Sequence, residues 1–113
     1  MRRTLAIAAT LGLALILVIV PAASGRRATK TVDVGDNFFD PTNMKIKKND
    51  RVAFDWVGIE EHDVARAKGP GKFFESGATS TPGVNFKHKF TKKGTYKIIC
   101  TLHSEMKMKI EVK

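Results

Sequence analysis

After an opening apolar run, hydrophobic residues in this chain recur at every second position. Val32 and Val34 alternate with polar neighbours, as do Met44 and Ile46, then Val52, Phe54 and Trp56. Val84, Phe86, His88 and Phe90 share one phase, with Asn85, Lys87 and Lys89 in the other. Tyr96 and Ile98 continue the scheme, and Met106, Met108, Ile110 and Val112 close it. Side chains of a strand point alternately to its two faces, so this period predicts half-buried antiparallel strands rather than helices. Turn signals separate them at Asp40-Pro41, Asn49-Asp50, Gly69-Pro70-Gly71, Pro82-Gly83 and Lys93-Gly94. Short strands at such spacing predict an all-β sandwich of about seven to eight strands. The stretch from Arg66 to Gly83 is rich in Gly, Pro, Ser and Thr, anchored by Phe73-Phe74. It reads as a long connection between the two halves, with room for one edge strand.

The opening run has a different character. Met1-Arg2-Arg3 precedes an uncharged stretch from Leu5 to Val20, which ends in Pro21-Ala22-Ala23-Ser24-Gly25. A basic start, an apolar middle and a small-residue cleavage zone are the parts of a secretory signal, cut after Ser24 or Gly25. The alternative is an uncleaved membrane anchor. The run exceeds the usual apolar core of roughly 7–15 residues and falls short of the roughly 20 that span a bilayer. Pro21, and Arg26-Arg27 on the far side, oppose an anchor. Residues 1–25 are thus expected to be a signal peptide and residues 26–113 a single exported domain, periplasmic, cell-surface or secreted.

A domain of that size buries a modest core. Small exported domains usually reinforce it with disulfides or a metal. The chain has one cysteine, so an internal disulfide is excluded and a metal is favoured. The whole chain carries 20 Lys and Arg against 11 Asp and Glu, a net charge of +9; two of those charges are Arg2 and Arg3, which leaves +7 on residues 26–113. That balance predicts an acidic partner. With no basic helix and no aromatic platform motif, nucleic acid is not expected as a ligand.

The single cysteine stands in Cys100-Thr101-Leu102-His103-Ser104-Glu105-Met106, between a predicted strand ending at Ile99 and another starting near Met106. A soft thiolate, an imidazole and a thioether on one loop are the makings of a copper site, in which two histidines and a cysteine bind trigonally with a weak axial methionine. Zinc prefers four strong donors and suits the set less well. The second imidazole must come from His62 or His88. His62 follows the strand ending near Val57, where loops converge, whereas His88 lies mid-strand among phenylalanines and is expected to pack. Met106 and Met108 share a face about 6.6 Å apart, so only one reaches the metal. Met106 is nearer the loop and is assigned the axial place, with Met108 in the core.

These segments resemble the cupredoxins of the plastocyanin, amicyanin and pseudoazurin kind. The resemblance runs through Val32 to Trp56, read as three strands, then through His62-Asp63-Val64, the stretch from Phe90 to His103, and the final strand. It implies an eight-stranded Greek-key sandwich with one type 1 copper ion on His62, Cys100, His103 and Met106. It also implies a tether from the residue after the first ligand to the cysteine loop, here Asp63 to Thr101, and an electron port at His103, with Leu102 a candidate for the apolar surface around it. Asp63 stands where an asparagine is usual, and Ser104-Glu105 where Pro-Gly is frequent. Both add negative charge beside the site.

The expected function is one-electron transfer by a small exported blue copper protein, a monomer and not an enzyme. Its expected partner is a redox protein with an acidic docking surface, and contact with a membrane is expected only if the N-terminal segment is an anchor. The alternative is copper binding or trafficking by the same ligands. A structural or adhesive sandwich in which Cys100 is incidental is disfavoured by the intact Cys, His and Met spacing.

Overall fold

The computed structural model describes residues 28–113, so the expected signal peptide or anchor lies outside the described residues. Eight strands follow one another: β1 Thr29–Gly35, β2 Phe38–Asp40, β3 Asn43–Ile46, β4 Arg51–Trp56, β5 Ala65–Lys68, β6 Gly83–Lys89, β7 Gly94–Ile99 and β8 Lys107–Val112. They form two four-stranded sheets, ordered β2-β1-β4-β6 and β3-β8-β7-β5. Among the described residues no helix is long and apolar enough to cross a membrane. The all-β sandwich expected from the alternation is the architecture found.

The inward phase of both sheets fills the space between them. Val32, Val34, Val52, Phe54, Ile98 and Ile110 are fully buried, with Phe39 and Phe90 beside them. Each such side chain removed from water stabilises the fold by about 1.5–3 kcal/mol before the entropy of ordering is set against it.

The structure corrects three details of the pattern. Two strand pairs are parallel rather than antiparallel, β1 with β4 and β3 with β8. Parallel neighbours need a crossover between them. After β2 the chain supplies it by crossing to the other sheet as β3 before returning as β4. Second, Val32 to Trp56 holds four strands, because the three-residue β2 is too short to show a period. Third, Val84 is exposed, out of phase with Phe86 and His88. The β4–β6 register slips between Phe54 and Asp55, which pair with Phe86 and Val84. Asn85 is the extra residue of a bulge, and one extra residue sends what precedes it to the other face. Within the long connection, Ala65–Lys68 is an edge strand, one residue earlier than expected.

Register also gathers the loops that matter. Ala65 pairs with Ile99, so the residues before β5 and after β7 emerge side by side. Val34 pairs with Trp56, and the Val57 amide donates to the Val34 carbonyl at 2.9 Å, which brings the β1–β2 turn to the same end.

Candidate metal centre

Three donors converge at that end. The side chains of His62, Cys100 and His103 offer ligand atoms that all lie within 4.8 Å of one another. The Cys100 Sγ is 3.6 Å from His103 Nδ1 and 4.0 Å from His62 Nδ1. Donors bound to one ion at about 2.0–2.3 Å and spread trigonally stand about 3.6–3.8 Å apart. The donor atoms therefore have the spacing of ligands around a single ion. Cys100 and His62 are buried, and His103 is partly exposed.

The outer nitrogens of both imidazoles meet carboxylates. His62 Nε2 lies 3.0 Å from Asp36 Oδ1, and His103 Nε2 lies 3.3 Å from Glu60 Oε1. An N–H donated to a carboxylate fixes the tautomer, leaving the Nδ1 lone pair free for a metal. Asp36 also accepts the Ile59 amide at 3.0 Å and the Glu60 amide at 2.9 Å, which folds the His62 loop against the β1–β2 turn. The His62 hydrogen bond, followed by these two amides, holds the Asp36 carboxyl down at about 2. Gly58 makes the approach feasible, since a Cβ there would fall 2.2 Å from Asp36 Oδ1 and 2.8 Å from the Asp36 amide nitrogen. Glu60 is near the ligands by its place in the sequence, two residues before His62, but Asp36 was not legible as a site residue. Asp36 and His62 are 26 residues apart in sequence, and an acid in a turn carries no mark of its distant partner.

The backbone of His62 is pinned as well. It exchanges two hydrogen bonds with Thr79, both 3.0 Å. The Trp56 indole donates to the Thr79 carbonyl at 2.9 Å and to the His62 carbonyl at 3.3 Å. Asp63, also buried, accepts the Thr101 amide at 2.6 Å and the Thr101 hydroxyl at 2.5 Å. That clasp joins the His62 loop to the cysteine loop. The cysteine loop closes on itself, the Met106 amide donating to the His103 carbonyl and the Cys100 amide to the Met106 carbonyl, both at 3.0 Å. The Met106 backbone is thereby bonded to the backbones of Cys100 and His103, and its side chain is buried. Met106 and Met108 both belong to the core cluster, and Met108 pairs with Ile98 on β7.

His88 lies elsewhere. It pairs with Val52, at the far end of β4 from Trp56, and stacks on Phe74 with ring centroids 3.7 Å apart. Burial lowers its pKa.

The donor set fits copper. A buried thiol flanked by two imidazole nitrogens, with a methionine closing the loop, offers soft and borderline ligands and no hard oxygen among the converging donors. The sequence profile of the copper binding proteins of the plastocyanin/azurin family matches residues 27–113. Among solved structures, a reduced amicyanin mutant superposes with a TM-score of 0.68 at 22% identity, over 81% of this chain and 89% of that one. A purple cupredoxin from Nitrosopumilus maritimus gives 0.65 at 21% identity, over 74% and 99% of the two chains. At such identity these likenesses establish the common fold. The search of curated protein sequences gave no match.

Proposed function

The chain belongs to the plastocyanin/azurin family of copper binding proteins, and on that premise we propose that it is an exported one-electron carrier. We assign the copper ion to His62, Cys100, His103 and Met106. The observation that carries this reading is the Nδ1–Sγ–Nδ1 triangle, with sides from Cys100 of 3.6 and 4.0 Å.

The ion, when bound, supplies a change between Cu(II) and Cu(I). The chain supplies constraint. Asp36 orients His62, and Asp63 ties the loop of Cys100 to the loop of His62, so the donors are fixed by contacts other than the metal. Ligands held this way move little when the charge at their centre changes, which lowers the reorganisation that electron transfer requires. Burial of Cys100 and His62 keeps water from the sulfur. His103, with 23% of its side chain exposed, and Leu102, 48% exposed, form the outward side, where an electron enters and leaves. The same clasp argues against the trafficking alternative, because handing over a metal requires the ligand loops to part. Export rests on the order of charges and apolar residues in 1–25. The partner we propose is a redox protein with an acidic docking surface, met by a monomeric carrier.

The visible spectrum tests the assignment. Cu(II)-loaded protein is expected to show intense thiolate-to-copper charge-transfer absorption and narrow copper hyperfine splitting, and Cys100→Ser to abolish both. A colourless Cu(II) complex of the unaltered chain would overturn the reading.

A further inference from the structure

The outer face of the β3-β8-β7-β5 sheet carries lysines in direct register. Lys68 on β5 pairs with Lys97 on β7, and Lys97 pairs with Lys109 on β8. All three are exposed, as is Lys107, which pairs with Ile99 one step nearer the metal loop. Like charges directly opposite on neighbouring strands destabilise a sheet. A lysine on an edge strand guards against strand addition, which accounts for Lys68. Lys97 and Lys109 lie on the two central strands, where there is no edge to guard. Their acidic neighbour on β8, Glu111, is paired with Lys113 at 3.5 Å.

The four lysines, with Asn43 and Thr95, line an open groove of about 430 Å³. Its near end borders the copper loop, since Ile99 and Lys107 are the residues directly before Cys100 and after Met106. The chemistry of an occupant follows from charge and shape. The inner surface is largely apolar, built of lysine stems and Met108, and the ammonium groups that cap those stems select an anion at the rim. No aromatic residue stands among these outward positions, so nucleic-acid bases have no stacking platform. A bilayer is flat, whereas a groove receives a protruding group. We propose that this lysine-walled groove docks an acidic protein segment and seats its owner beside the Cys100–Met106 loop. The redox character of that partner rests on the electron-carrier reading; the docking surface does not.

The test uses the copper-loaded chain and a fluorescently labelled oligoglutamate peptide, with binding read by anisotropy at low salt. The triple variant Lys68→Glu, Lys97→Glu, Lys109→Glu is expected to weaken binding by about tenfold or more. A control with the same charge change on exposed lysines elsewhere, Lys72→Glu, Lys87→Glu and Lys89→Glu, is expected to stay within about twofold. Equal weakening by both triples would show that net charge alone is at work and overturn the proposal, as would no weakening by the first. Phosphatidylserine vesicles or a single-stranded oligonucleotide that bind through these lysines while oligoglutamate does not would overturn the protein occupant. The pair Lys97→Ser, Lys109→Ser guards against misfolding as an explanation. It is expected to bind oligoglutamate more weakly yet melt at a higher temperature, because repulsion is relieved; a lower melting temperature would remove the premise. A chain without blue colour that still binds oligoglutamate through the groove would sink the electron-carrier reading and leave the docking surface standing.

Discussion

The two imidazoles assigned to the proposed copper site live in contrasting surroundings. His62 is fully buried, its backbone bonded both ways to Thr79, its carbonyl met by Trp56 and its ring by Asp36. His103 sits on a loop whose neighbours Leu102, Ser104 and Glu105 are exposed, and its own carboxylate partner, Glu60, has half its side chain in water. The difference teaches that one of the proposed ligands belongs to the scaffold and the other to the surface. Rigidity on one side is what allows accessibility on the other, since a metal can be reached through His103 while its position is set by His62.

The sharpest way to break this contrast is to remove each ring in turn. His103→Gly is expected to regain the charge-transfer band when free imidazole is added, because its site opens to solvent. His62→Gly is expected to stay colourless at the same imidazole concentration, because the cavity left by a fully buried ring has no opening to solvent. Equal rescue of both would show that the buried ligand is not part of the scaffold.

Next in size is the clasp between the two loops. Asp63→Ala removes both hydrogen bonds to Thr101, and hydrogen bonds to a charged group are worth about 1.5–3 kcal/mol each. Chemical denaturation is expected to show a loss of roughly 3–6 kcal/mol, and Asp63→Asn a smaller one. The two carboxylates on the imidazoles sharpen the comparison further. Asp36→Asn removes a negative charge held against the buried ring and is expected to raise the reduction potential, because a Cu(II) ion loses more attraction than a Cu(I) ion does. Glu60→Gln alters a group screened by water and is expected to move the potential by less than about half as much.

The smallest effect lies away from the metal. Burial lowers the pKa of His88 below the ordinary value of about 6.5. The unfolded chain then binds more protons than the folded one between the two values. Stability is complete above about pH 6.5 and declines as pH falls toward the folded pKa. In His88→Phe, thermal melting is expected to lose that part of its acid sensitivity while keeping the stack on Phe74.

How far the molecule could be read from its sequence follows from the range of each signal. Cys100, His103 and Met106 lie on one loop, so their proximity is local and legible. Strand positions were legible wherever pairing kept its phase, as at Val52, Phe54 and Trp56. The phase failed at Val84, because a bulge is set by the partner strand. The parallel pairs were hidden because direction depends on where the chain crosses between sheets, which periodicity does not record. Asp36 was hidden for a related reason. Its role arises from the parallel pairing of β1 with β4, which carries a turn of one to the ligand loop that follows the other.

Trp56 adds a consequence of a different kind. It is the only tryptophan in the chain, buried, with its indole N–H on the carbonyl of His62. An indole shielded from water emits at shorter wavelength than an exposed one, and an absorbing Cu(II) centre nearby drains its excited state. The protein therefore carries its own optical gauge, dim when the copper is bound and oxidised and bright when the site is stripped, so that metal loading can be followed by ultraviolet fluorescence without a label.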